Sequence, residues 1–132
     1  MRNDGKITTV DQLVDMGADA RVAVQLNTTS DIMAEWFLED ADIRRFERAP
    51  DTVLEINTGR VEAIIVDKGV AQQFINDNPG LTILDEILAE EEYAIAINKD
   101  NPGLTIRINN AIGQMKNSGE FQRIYDMFFS GE

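Results

Sequence analysis

The sequence predicts an α/β protein: a doubly wound, mostly parallel sheet followed by C-terminal helices. Three observations carry that expectation. Strand-like apolar runs alternate with helix-period segments three times between residues 21 and 75. One of those runs, VEAIIV at 61–66, is almost continuously apolar, as in a strand covered on both faces. Past residue 98 the strand patterning gives way to two apolar stripes at helical spacing.

Taken in order, residues 1–6 are polar and read as frayed. Thr9 caps a short helical turn that Gly17 stops. The first buried strand covers 21–25. The turn Gln25-Leu26-Asn27-Thr28-Thr29 then leads into an amphipathic helix with Thr28 or Thr29 as its cap. Asp31, three places after Thr28, makes a weaker relative of a capping box. Ile32, Met33, Trp36 and Phe37 are expected to form the buried face of this helix, with Trp36, Phe74 and Phe121 in the core. A second strand follows at 42–46. A helix opened by Ala49-Pro50-Asp51 comes next, with Gly59 just past its end. The third strand at 61–66 ends at Asp67, and Val70, Ala71, Phe74 and Ile75 mark another helix, stopped by Asn78-Pro79-Gly80.

A shorter strand is expected at 81–84. The alternation of Tyr93, Ile95 and Ile97 against Ala94 and Ala96 predicts one more at 93–98. Leu104, Ile108, Ile112 and Met115 form one helical stripe, and Phe121, Ile124, Tyr125 and Phe128 a second, separated by Asn117-Ser118-Gly119. The hexapeptide NPGLTI occurs at Asn78 and again at Asn101, and reads as two similar turns rather than a repeat, because the flanks differ. The expected organisation is a lobe over 1–98 and a helical tail over 99–132.

Composition removes several function classes. The chain has 132 residues and a net charge of −12, which disfavours nucleic acid and anionic membranes as partners. It contains neither Cys nor His. Disulfides, thiolate nucleophiles and the commonest metal ligand and general base are therefore absent. The run Glu90-Glu91-Glu92 reads as a solvated connector rather than a metal site, and no cofactor or metal is expected. No stretch of about 18 apolar residues is present, and residues 1–6 lack the apolar region of a signal peptide.

The candidate site follows from topology. In doubly wound sheets ligands bind beyond the carboxyl ends of the strands, where strand order reverses. With strand order 2-1-3, the turn after the first strand faces the end of the third across one crevice. A helix N-terminus bearing hydroxyls attracts an anion, and Asp67 opposite it attracts a cation. The pair suits a zwitterion such as a free amino acid. Plain roles compete: Thr28, Thr29 and Asp67 each fit simple helix caps, and Gln25 fits an ordinary surface position. A phospho-receiver also places an Asp at the end of its third strand. It needs an acidic pair after the first strand, where this chain has Gln25, Asn27 and Thr28.

The segments ITTVDQL, VAVQLNTTSD, INTGRVEAIIVDKGVAQQFI, EEYAIAINKDNPGL and NNAIGQMKNSGEFQRIYDMFF carry a resemblance. In order and spacing the chain resembles the second lobe and C-terminal tail of bacterial family 3 solute-binding proteins, the polar amino-acid receptors of ABC transporters. The resemblance implies a periplasmic-binding-protein type II lobe that binds a free amino acid without catalysis. It implies a periplasmic or membrane-anchored extracellular parent that delivers to an ABC permease. It implies ligand contacts from Asn27, Thr28 and Thr29 to the carboxylate, from Asp67 to the ammonium group, and from Gln25 to the side chain. Asn27 stands where such proteins usually have Gly, and Asn tolerates positive φ better than most residues. The family's first lobe is not in this sequence, so the chain reads as a fragment, engineered or natural. Its orphaned strand and tail are expected to find partners by homodimerisation or domain swapping. A dehydratase-like or sensory domain built on the same lobe is the alternative, with Asp67 or Glu92 as its acid.

Overall fold

The computed structural model describes residues 1–129. They form two compact units, one covering Met1–Glu90 and the other starting at Glu91.

The first unit is built on a three-stranded parallel sheet of β1 (Arg21–Gln25), β2 (Asp42–Phe46) and β3 (Ala63–Ile64), in the order β2-β1-β3. This is the order that sets the turn after the first strand against the end of the third. Val22, Ala23 and Val24 at the centre of β1 are all fully buried, because helices cover both faces of the sheet. On one face Val22 and Ala63 pack with Leu13, Ala20 and Leu38. Leu13 comes from α1 (Val10–Met16), and Leu38 ends α2 (Thr29–Phe37). On the other face Ala23 packs with Ile56, Val61 and Leu81, flanked by Val53 and Ile75. Those flanking residues come from α3 (Ala49–Asn57) and α4 (Lys68–Asp77). Each fully buried Val or Ile contributes roughly 1.5–3 kcal/mol of transfer free energy.

Local chemistry starts and stops these helices. Thr9 and Gln12 complete a capping box on α1, with the Thr9 side chain accepting from the Gln12 N–H and the Gln12 side chain accepting from the Thr9 N–H. A 3-10 turn at Gly17–Asp19 follows. Pro50 lies in the first turn of α3, and Gly59 sits just past its end with φ 73°.

Several expectations change. The helix α2 does not bury Ile32, Trp36 and Phe37; it buries Asp31 and Ala34, and Leu38 just beyond its end. Trp36 is 74% exposed and is not a core residue, and Phe121 is exposed too, while Phe74 is half-buried. The close approach of α2 to the sheet selects the small residue Ala34, so the bulkier stripe turns outward. The strand expected at 61–66 is assigned only at Ala63–Ile64. Backbone bonds from Glu62 N to Arg21 O (2.8 Å) and from Ile65 N to Ala23 O (3.1 Å) extend its contact with β1.

The strand expected at 81–84 reduces to a single antiparallel bridge between Leu81 and Arg2. Its partner is the N-terminal arm, which is therefore paired rather than frayed. Asn3 N donates to Gly80 O (2.7 Å) and Thr82 N to Met1 O (2.8 Å). Residues 93–98 form no strand. Their alternation supplies two faces, but no neighbouring strand among the described residues provides the ladder that a strand requires.

In the second unit α5 (Pro102–Ser118) and α6 (Glu120–Phe129) pack on one another. Gly119 separates them in the left-handed conformation (φ 79°), as the break at Asn117-Ser118-Gly119 predicts. Leu104, Ile108, Ile112 and Met115 are half-buried along α5, and no residue of either helix is fully buried. The Lys116 ammonium lies 5.3 Å from the centre of the Phe121 ring, and the Tyr125 and Phe129 rings stack at 4.7 Å. No helix of the described residues is long and apolar enough to cross a membrane.

Candidate functional site

The carboxyl edge of the sheet carries the residues singled out from the sequence. β1 pairs in parallel with both neighbours, Gln25 opposite Phe46 of β2, and Ala23 opposite Ile64 of β3. The turn that follows β1 and the Asp67 that follows β3 therefore leave adjacent strands at the same edge. That is the switch point of the order β2-β1-β3.

The turn has a defined build. Asn27 takes the left-handed conformation with φ 60°, the only positive φ outside glycine among the described residues. Thr28 is the N-cap of α2, and its Oγ1 accepts from the Asp31 N–H (3.4 Å) while its hydroxyl donates to Gln25 O (2.8 Å). Thr29 is the first helical residue and is exposed. The first N–H groups of a helix have no acceptor within it, so those of Thr29 and Ser30 add to the partial positive charge of the helix start.

Gln25 is half-exposed, and its Nε2 donates to Glu47 O (3.1 Å) in the loop after β2. Asp67 is exposed and occupies the N-cap position of α4, but its carboxylate makes no capping bond to that helix. The simple capping role is thus filled by Thr28 and not by Asp67.

Sequence reasoning missed a charged group under the turn. Asp31, only 8% exposed, accepts from Asn27 N–H through Oδ2 (3.2 Å) and from Arg45 Nε of β2 through Oδ1 (2.8 Å). Arg45 also pairs with Glu35. The capping pattern pointed to Asp31, but its partner Arg45 lies on another strand, and no local spacing signals that contact. At the opposite, amino edge of the sheet Arg21 and Glu62 form a second pair that also holds Arg21 N–H (2.9 Å). Among the described residues no three His, Cys, Asp or Glu side chains converge to hold a metal.

No protein-family model matches the chain. It is 27% identical over 134 residues to a probable histidine-binding protein of Neisseria gonorrhoeae, across 96% of this chain and 48% of that protein. Among solved structures, a mutant of ArgBP from T. maritima superposes with a TM-score of 0.78 at 32% identity. That match covers 98% of this chain and 55% of the other. Over nearly its whole length the chain is similar to one half of the family 3 solute-binding proteins. An ancestral amino-acid-binding protein, described as a precursor of cyclohexadienyl dehydratase, superposes with a TM-score of 0.78 at 34% identity, covering 96% of this chain and 53% of its own. The chain spans about half the length of the curated relatives it matches, and its α/β architecture is that of a periplasmic-binding-protein type II lobe.

Proposed function

We propose that the chain is one lobe of an amino-acid receptor of an ABC transporter, holding a free amino acid at the carboxyl edge of its sheet without catalysis. The observation that carries this reading is the juxtaposition at the switch point. A left-handed, hydroxyl-bearing turn at a helix N-terminus shares one sheet edge with the Asp67 that ends the neighbouring strand. Asn27, Thr28 and Thr29 take the ligand's carboxylate, Asp67 its ammonium group, and Gln25 reaches its side chain. Residues 1–98 are then the lobe and 99–132 its tail. In the cell the whole receptor works outside the cytoplasmic membrane and hands its ligand to a permease.

A single lobe supplies part of the contacts while the entropic cost of association remains. We therefore expect affinities of about millimolar. Calorimetric titration of the chain with a panel of amino acids checks this. Binding that is lost on Asp67→Ala supports the assignment, and unchanged binding in that variant removes Asp67 from the site.

The likeness to a dehydratase precursor favours one second reading, an eliminating enzyme with Asp67 or Glu92 as its acid. The absence of His and Cys argues against it. Turnover of a cyclohexadienyl substrate by the purified chain would establish it in place of simple binding. A homodimer, formed through the tail helices or by edge pairing at 93–98, completes the proposal.

A further inference from the structure

We propose that Asp31 is a positioning residue for the ligand turn, clamping the left-handed backbone of Asn27 to Arg45 on β2. The inference deepens the amino-acid-binding reading, and its functional consequence rests on that reading. In an ordinary capping box the acid at the third helical position returns to the N–H of the N-cap residue itself. Here Thr28 is the N-cap, and Asp31 reaches one residue further back, to Asn27 N–H. That is the residue whose φ of 60° disfavours an L-amino acid. The bond thus falls where the backbone most needs an external restraint.

The other oxygen of Asp31 is held by Arg45. Arg45 stands opposite Val24 in the β1–β2 ladder, one residue before the turn begins. The clamp therefore refers the turn to the rigid sheet rather than to α2 alone. Asp31 is nearly buried, and a carboxylate so placed requires its charge partner, because removing one member of a buried pair leaves the other uncompensated. Thr28 closes the loop from the other side through its hydroxyl bond to Gln25 O. Residues 25–27 are thereby held at both ends before any ligand arrives, which lowers the ordering cost of binding.

Amide hydrogen exchange followed by NMR on the full chain tests the clamp, paired with calorimetric titration of an amino acid that binds the unaltered protein. Asp31→Asn and Arg45→Gln break the clamp from opposite sides, so a folding failure of one leaves the other. In both variants the Asn27 amide is expected to exchange about tenfold faster, while the amides of Val22 to Val24 keep their protection. Affinity is expected to fall by about tenfold in parallel. Unchanged exchange at Asn27 overturns the clamp. Faster exchange with unchanged affinity overturns the positioning role, as does a uniform loss of protection along β1. An unaltered chain that binds no amino acid overturns the binding reading instead, and the exchange data then decide the clamp by themselves.

Discussion

Asn27 shows how much one backbone angle can decide. Its φ of 60° lies where a Cβ is crowded against the following carbonyl, at a cost of roughly 1–2 kcal/mol for most residues. Asn meets part of that cost because it tolerates the left-handed region. Replacing it with Ala should lower stability by about 1 kcal/mol, and replacing it with Gly should be close to neutral, both measured by urea denaturation. Equal losses in the two variants would show that the Asn side chain, and not the backbone angle, matters. Glu62 makes a different case. Burial pushes its carboxyl up, but the hydrogen bonds and charge of Arg21 outweigh burial and hold it below its ordinary value of 4.5. Its folded pKa is depressed, so its contribution is fully present above 4.5 and is lost as pH falls through the folded value. Stability should therefore drop in acid below 4.5, and Glu62→Gln should flatten that part of the curve. A Glu62→Gln profile parallel to that of the unaltered chain would show that the pair carries no linkage.

At the scale of elements, the repeated hexapeptide NPGLTI separates what is local from what is not. Both copies make the same turn, Leu81 N donating to Asn78 O (2.9 Å) and Leu104 N to Asn101 O (3.1 Å). Yet Asn78 ends α4, with its Nδ2 on Phe74 O (2.9 Å), whereas Asn101 starts α5, with its Oδ1 accepting from Leu104 N (3.2 Å). The turn is legible in the sequence, but its role depends on whether the helix lies before it or after it. Asn101→Ala should therefore cost about 1 kcal/mol and fray the start of α5, seen as lost amide protection at Leu104 and Thr105. Protection unchanged at both would remove the side chain as the cap. The same division runs through the fold. β1 is readable because both its faces are apolar, whereas alternation of strands and helices implies a parallel sheet without fixing the order β2-β1-β3. The buried face of α2 is not legible in the sequence because Trp36 and Phe37 outweigh Ala34 in hydrophobicity, while close packing on the sheet selects the smaller residue. Residues 93–98 have the pattern of a strand but lack the neighbour that would make them one. At the candidate site, the turn and Asp67 came from topology. The Asp31–Arg45 contact did not, since it joins residues 14 apart on different elements.

For the whole molecule the deciding physical question is what covers its apolar surface. The first unit has a core on each face of its sheet, whereas the helices of the second contain no fully buried residue. Phe121, Tyr125, Met127 and Phe128 of α6 are all more than 40% exposed, and Tyr93 and Ile95 lie on the strand-patterned stretch before α5. Apolar side chains concentrated on one short helix favour association, and a second copy presents the same stripe in the orientation that a two-fold axis requires. The chain should therefore run as a dimer in light scattering at micromolar concentration. Phe128→Ser with Tyr125→Ser should return it to a monomer, because neither residue is part of the sheet's core. A strict monomer in the unaltered chain would overturn the dimer and leave the stripe to the further length that the relatives possess. A dimer that survives both substitutions would move the contact to the edge at 93–98, where Ile95→Pro removes an N–H that strand pairing needs. The two variants thus distinguish a helical interface from an edge-paired one, and both leave the Asn27 turn and Asp67 intact for the binding measurements.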